Sequence, residues 1–207
     1  SDETLIVTMT GTSNTDVTIA ATPNDHATVT ITDDDVAELS IVATTQAEED
    51  ATDGLFTIST TKQFDAPVTV TFTRTGTATS ASDFTAIGTT VVFPAYSNTV
   101  TIPVEVIADD IVESDETLIV TMTGTSNTDV TVAASPNNAA TVTITDDDVA
   151  ELSIVATTQA EEDATDGVFT ISTTKQFDAP VTVTFAGTGD ANAGTDFTAI
   201  GTTVEFP

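Results

Sequence analysis

The sequence predicts an all-β protein built from antiparallel β-sandwiches that are repeated in tandem. Three observations predict this fold class. The chain of 207 residues repeats itself almost identically. Each repeat contains seven short runs in which apolar or β-branched residues alternate with outward-facing ones, and turn residues separate these runs. No segment has the periodicity of a helix of ten residues.

The repeat has a period of 113 residues. Residues 114–207 align with residues 1–94 without a gap, and 81 of the 94 pairs are identical. One full repeat therefore spans residues 36–148, an ordinary domain length. Residues 1–35 form the C-terminal part of a preceding repeat, and residues 149–207 the N-terminal part of a following one. We expect such ends in a piece of a longer tandem array, in a fibre whose subunits complete one another by strand exchange, or from an arbitrary cut.

Seven strands are predicted within the repeat, separated by turn signals such as Asp53-Gly54, Ala66-Pro67 and Gly76. They are residues 38–42, 55–59, 68–72, 89–93, 99–106, 117–122 and 140–144. Seven short strands in 113 residues are typical of a two-sheet sandwich of immunoglobulin-like type. The expected core is formed by the inward-facing aliphatic residues and by five phenylalanines: Phe56, Phe64, Phe72, Phe84 and Phe93. Threonine, with 49 residues, is expected on the outward positions.

The composition is strongly acidic, with 33 carboxylates, three basic side chains and a formal charge of −30. Such a chain is not expected to bind nucleic acid or an anionic membrane surface, and cations become the expected partners. No apolar run reaches the ~18 residues of a membrane span, so no membrane insertion is expected in this segment. The absence of cysteine excludes disulfides, thiolate zinc sites and cysteine nucleophiles.

The carboxylates are concentrated in loops and at strand ends. Of the 17 in residues 36–148, 13 lie at Glu48, Glu49, Asp50, Asp53, Asp83, Asp109, Asp110, Glu113, Asp115, Glu116, Asp146, Asp147 and Asp148. Two carboxylates ~5 Å apart repel by about 3 kcal/mol at an effective dielectric constant of 20, so converging loops need a neutralising cation. Lys62 and Arg74, the basic residues of the repeat, are expected to lie outside the clusters. Oxygen ligands without thiolate or imidazole favour Ca²⁺.

Three of these segments also carry a family resemblance. Residues 109–116 (DDIVESDE, followed by TLIV), residues 189–197 (GDANAGTDF) and residues 140–148 (ATVTITDDD) resemble the signatures of the Calx-beta domain. This family includes regulatory calcium-binding domains of the sodium/calcium exchanger and many repeats of bacterial surface proteins. The resemblance covers the whole 113-residue repeat and implies a seven-stranded sandwich with calcium at one end.

The resemblance also implies the calcium ligands, which come from four loops. In the full repeat they are Glu49, Asp83, Asp109, the carbonyl of Ile111, Glu113, Glu116, Asp146, Asp147 and Asp148. In the partial copies they are Glu3, Asp33, Asp34 and Asp35 of the preceding repeat, and Glu162 and Asp196 of the following one. Ala108 stands where the family often has a third acid, so the number of ions is left open. Val149 is expected to begin the next strand, which makes the acidic run itself the linker.

These observations favour a structural and adhesive role without catalysis: an extracellular or cell-surface array, bacterial in origin, in which calcium stiffens the repeats and their junctions into a fibre. Head-to-tail self-assembly is expected if the partial repeats complete one another. The alternative is a carbohydrate-binding or ice-binding module, or spacer repeats of a larger secreted protein. His26 is interpreted as structural or neutral, because Ala139 occupies the same position in the next copy.

Overall fold

The structure is a computed structural model that describes residues 2–207. These residues contain strands and connecting loops without an α-helix, and therefore no helix long and apolar enough to cross a membrane. The strands are β1 Glu3–Thr8, β2 His26–Ile31, β3 Ala37–Thr45, β4 Ala47–Glu48, β5 Gly54–Thr60, β6 Val68–Gly76, β7 Thr90–Phe93, β8 Thr99–Val104, β9 Ile111–Val112, β10 Glu116–Thr125, β11 Val130–Val132, β12 Ala139–Thr145, β13 Leu152–Thr158, β14 Val168–Thr173, β15 Gln176–Phe177, β16 Val181–Thr184 and β17 Thr203–Phe206.

Two sheets form the sandwich of the central repeat. One sheet has the order β4-β12-β10-β6-β7 and the other has the order β11-β3-β5-β8. All seven predicted strands of the repeat are present, as β3, β5, β6, β7, β8, β10 and β12, and their mutual pairings are antiparallel. The predicted all-β, immunoglobulin-like sandwich is confirmed.

Three short strands were missed by the sequence prediction, and they add parallel pairings to the antiparallel fold. β4 pairs with β12, β11 pairs with β3, and β9 pairs with β15 of the following repeat. Each has only two or three residues. Runs this short have no measurable alternation, so only the position of a neighbouring strand reveals them.

The core fills the space between the two sheets. All five predicted phenylalanines are buried, and Phe64 meets Phe93 edge to face at a centroid distance of 5.1 Å. Leu39, Ile58, Val70, Val104 and Val142 of the facing strands complete the core. Inward positions alternate with threonines, as the period of two requires. The central repeat therefore has a full hydrophobic core of its own.

The flanking segments contain paired strands with exposed apolar faces. β1 pairs with β2, β13 with β14, and β16 with β17. Leu5 of β1 is 56% exposed, whereas Leu118, which is the same residue in the central repeat, is 2% exposed. Each flank thus leaves exposed apolar residues whose counterparts in the central repeat are buried.

Replacing the equivalent phenylalanine in two repeats should distinguish a packed core position from an exposed one. Phe56 is fully buried, whereas its copy Phe169 is 67% exposed. We expect Phe56→Ala to lower the free energy of unfolding of the central repeat by about 3–5 kcal/mol, because it leaves a cavity in a packed core. Phe169→Ala is the matched control and should cost less than about 1 kcal/mol. Equal shifts in urea unfolding followed by circular dichroism would contradict the assignment of the core to the central repeat.

Candidate metal centre

The sandwich brings four acidic segments to one end. Glu116 begins β10 and is paired with Ile144 near the end of β12, and Ile144 is in turn paired with Ala47 of β4. Glu49 directly follows β4, and its backbone N–H donates to the carbonyl of Thr145 (3.1 Å). Antiparallel pairing of β10 with β6 places the loop after Gly76 at the same end. Residues far apart in the sequence therefore meet here because of strand direction.

Three carboxylates form the tightest group. Carboxylate oxygens of Asp83, Glu113 and Glu116 lie within 4.8 Å of one another. Asp83 is only 8% exposed, and its Oδ2 accepts a hydrogen bond from the backbone N–H of Thr79. Oε2 of Glu116 is buried without a hydrogen-bond partner among the described residues. A buried carboxylate oxygen without a donor is costly, which makes this position a fit for a cation.

Glu49 extends the group on its other side. The side chain is almost fully buried, with 5% of the residue exposed. Burial raises the pKa of Glu49 to about 7, and the negative charges of Asp109, Glu113 and Asp146 add to the shift, while a hydrogen bond from the Asp109 backbone opposes it. The carboxylate therefore lies in an environment that already carries excess negative charge.

The loop before β10 and the acidic run after β12 are held together by backbone hydrogen bonds. Asp146 accepts from the backbone N–H of Glu113 through Oδ2 (2.9 Å) and from that of Asp148 through Oδ1 (3.1 Å). Asp109 accepts from the N–H of Ile111 (2.7 Å). Asp109 and Asp147 are exposed to solvent. Ile111 lies in β9, two residues before Glu113.

Burial and like charge also act on the two glutamates of the tight group. Burial raises the pKa of Glu116 to about 7, and a hydrogen bond and the charge of Asp83 reinforce the shift, followed by the charges of Glu113 and Asp178. The pKa of Glu113 is also raised, first by burial and then by Asp109, Asp83 and Asp178. Each shift has the sign expected for carboxylates crowded together without a counterion.

One expectation about the basic residues is wrong. Lys175, the copy of Lys62, contacts the acidic run of the central repeat: its Nζ lies 3.2 Å from Asp110 and forms a closer ion pair with Asp148. Lys62 forms the same ion pair with Asp35 at the preceding junction. The lysines therefore neutralise part of the acidic run of the previous repeat, which was not visible because they are remote from that run in the sequence.

The junction to the following repeat also differs from the expectation. β13 begins at Leu152, so residues 149–151 separate the acidic run from the next strand. Asp178 was missed as a neighbour of the centre. The backbone N–H of Asp178 donates to the carbonyl of Val112 (3.3 Å), next to Glu113. No signal in the sequence distinguishes Asp178 from an ordinary loop acid.

The partial copies retain pieces of the same arrangement. Asp33 accepts from the N–H of Asp35 (3.1 Å), as Asp146 does from Asp148, and Asp196 accepts from Asn192 (2.7 Å), as Asp83 does from Thr79. Glu3, Asp34, Asp35, Glu162 and Asp196 are exposed. The described residues do not bring these acids together into a group like that of the central repeat.

Fold and site together define a class of protein: a β-sandwich module with an all-oxygen, carboxylate-rich centre at the end where repeats meet. The sequence model of the Calx-beta domain matches residues 33–148 and 151–207, and the chain belongs to the Calx-beta family. Calx-beta domains are calcium-binding β-sandwich domains.

Several solved structures are similar to this chain. The CBD1 domain of Calx in its apo form is 23% identical, with a TM-score of 0.47, over 55% of this chain and 100% of that chain. The CBD12 of CALX1.2 is 22% identical, with a TM-score of 0.45, over 54% of this chain. The calcium binding domain CBD12 of CALX1.1 is 23% identical, with a TM-score of 0.44, over 52% of this chain. The chain spans 46% and 44% of the two CBD12 structures. No curated protein matches the chain.

The raised pKa values predict how stability depends on pH in the absence of divalent cations. Glu49 and Glu116 have folded-state pKa values of about 7 against 4.5 for the free side chain. Between these values the folded state binds more protons than the unfolded state, so stability falls as pH rises. We expect the melting temperature in chelator to be lower at pH 7.5 than at pH 5. The double variant Glu49→Gln/Glu116→Gln should flatten this slope, and a melting temperature that rises through the window would contradict the prediction.

Proposed function

We propose that the central repeat binds Ca²⁺ between Asp83, Glu113 and Glu116, with Glu49, Asp109 and Asp146 adjoining. The observation that carries this proposal is the group of three carboxylates within 4.8 Å, one of which has a buried oxygen without a partner. In residues 2–207 no lysine or arginine forms an ion pair with these three side chains. Carboxylate oxygens are the ligands that Ca²⁺ prefers, and an affinity of ~0.1–1 mM is typical of extracellular modules.

Calcium binding at this position is coupled to folding. The native state holds the carboxylates together and the unfolded state does not, so an ion that binds only the native state stabilises it by mass action. The same ion also neutralises the repulsion that raises the pKa values of Glu49 and Glu116. Calcium therefore acts as a structural component of the repeat rather than as a substrate.

We further propose that the array is a structural and adhesive element of an extracellular or bacterial cell-surface protein. Near-identical repeats support this role, since they provide length and uniform mechanics more directly than graded regulation. The acidic centre lies where one repeat joins the next, so calcium stiffens both the sandwich and the junction. Extracellular calcium at millimolar concentration would keep such weak sites filled.

The calcium proposal predicts opposite effects of one substitution with and without the ion. Glu116→Gln removes one charge from the crowded group, so we expect a higher melting temperature than the parent in chelator. It also removes a ligand, so the increase in melting temperature on addition of 5 mM CaCl₂, about 5 °C or more in the parent, should be reduced by at least half. Differential scanning calorimetry of the 207-residue chain measures both values.

The partial copy provides the matched control for this substitution. Glu3 is the copy of Glu116 and lies outside any complete group, so Glu3→Gln should retain the calcium effect of the parent. The proposal would be contradicted if the melting temperature of the parent were the same in chelator and in millimolar calcium.

Head-to-tail assembly is a second proposal, and the exposed apolar faces of the flanks support it. Leu5 is a copy of Leu118, and Phe169 is a copy of Phe56; each is exposed where its counterpart is buried. Residues 1–35 correspond to the last strands of a repeat and residues 149–207 to the first ones. We propose that residues 149–207 of one molecule of this chain pack against residues 1–35 of another. This packing would bury both apolar faces in a shared sandwich.

This assembly should be visible by sedimentation velocity. We expect the 207-residue chain to form oligomers whose size increases with concentration. Leu5→Thr should weaken the association, because the equivalent Leu118 faces the core. Ile6→Thr is the control, since the equivalent Ile119 lies on the opposite face of its strand and is only partly buried. A chain that stays monomeric at all concentrations, or equal effects of the two substitutions, would contradict the proposal.

A further inference from the structure

A loop of the following repeat reaches the acidic centre of the central repeat. β15 pairs in parallel with β9, with Gln176 opposite Ile111 and Phe177 opposite Val112. The next backbone N–H, that of Asp178, donates to the carbonyl of Val112. Val112 directly precedes Glu113, so the strand pairing places the backbone of Asp178, a residue of the following repeat, beside the loop that carries Glu113.

The same loop is anchored at its other end by Lys175. The Nζ of Lys175 pairs with Asp148 and Asp110, which both belong to the central repeat. The side chain of Asp148 is 8% exposed, and its Oδ2 is buried without a hydrogen-bond partner among the described residues. Two backbone pairings and two ion pairs therefore fix the position of Asp178 relative to Glu113.

The position of Asp178 is electrostatically unfavourable without a cation. Its negative charge, like that of Asp83, contributes to the raised pKa of both Glu113 and Glu116. Lys175 does not relieve this crowding, because its ion pairs are with Asp110 and Asp148. A divalent ion between Asp83, Glu113 and Glu116 would convert this repulsion into attraction.

The preceding junction repeats part of this arrangement with the same residues. The loop of the central repeat has the sequence TTKQFD at residues 60–65, identical to residues 173–178. Lys62 pairs with Asp35, and Asp65 lines a cleft of about 380 Å³ together with Glu3, Asp33 and Asp34. Both loops thus face the acidic run of the repeat before them.

We propose that Asp178 is a calcium ligand supplied by the following repeat, so that the metal centre of each repeat is completed by its neighbour. Asp178 and the group of Asp83, Glu113 and Glu116 form one inter-repeat site, and Lys175 positions the loop that carries Asp178. This inference rests on the proposed calcium function of the same centre. Calcium then links consecutive repeats directly, and a repeat without a successor binds the ion more weakly.

The test compares two copies of the same aspartate in the full 207-residue chain. Asp178→Asn should weaken the tightest calcium binding measured by isothermal titration calorimetry about tenfold, because one charged ligand is lost. Asp65→Asn is the matched control: it has the same local sequence but faces a partial copy without the counterparts of Asp83 and Glu113, so binding should stay within twofold of the parent. Binding by Asp178→Asn within twofold of the parent would overturn the inference.

A second measurement separates a ligand from a residue that merely supports the loop. In chelator, Asp178→Asn should melt at the same temperature as the parent or higher, since a repulsive charge is removed. A lower melting temperature in chelator with unchanged calcium affinity would assign Asp178 a structural role and overturn the inference. Asp178→Ser provides a second variant with the same expected loss of calcium affinity.

The link between repeats can be followed by spin labels, because the chain contains no cysteine. Thr101→Cys in β8 and Ser153→Cys in β13 place one label on an exposed position of each repeat. The distribution of distances between the two labels should become narrower when calcium is added to the parent, but not when it is added to Asp178→Asn. If calcium neither binds to the parent nor narrows its distribution, the proposed function itself fails. If it does both equally in Asp178→Asn, only the role of Asp178 fails.

Discussion

The repulsion among carboxylates at the end of the sandwich is the constraint on which the rest of the structure depends. Asp83, Glu113 and Glu116 are held within 4.8 Å, and Glu49 is buried nearby. Such pairs oppose folding by up to about 3 kcal/mol each at an intermediate dielectric constant. The opposing free energy comes from the two-sheet core, in which Phe56, Phe93 and Val142 are fully buried. The core therefore holds the carboxylates in place against their mutual repulsion.

The parts of this arrangement that could be predicted from sequence are those encoded locally. Strands such as residues 55–59 and 68–72 carry their period-two pattern in a few residues, and Phe56, Phe72 and Phe93 fall on inward positions of their strands. The acidic loops were identifiable because uncharged threonine on the outward positions leaves the carboxylates confined to loops. Antiparallel order then explains why Glu49, Asp83 and Glu116 meet, although strand pairing itself had to be seen in the structure.

The parts that could not be predicted depend on contacts between repeats. Lys175 and Asp178 contact the central repeat through a two-residue strand that has no pattern of its own. The near-identity of the repeats makes contacts between them harder to predict. Each side chain has an equivalent in every repeat, and the sequence does not show whether its partner lies in its own repeat or in a neighbouring one. Lys62 was interpreted within its own repeat, whereas its partner Asp35 belongs to the previous one.

The charge of Lys175 and that of the proposed calcium ion have different effects on the junction between repeats. Lys175 is covalently part of the following repeat, so its ion pairs with Asp110 and Asp148 hold the loop in place at any calcium concentration. It does not pair with Asp83, Glu113 or Glu116, so Lys175 leaves the negative charge of this inner group uncompensated. Under the proposed function, a junction held only by lysine would be equally rigid at every calcium concentration, and one held only by the inner group would lose its contact between repeats without calcium. Under the proposed function, the combination gives a junction that Lys175 positions permanently and that calcium stiffens when it binds.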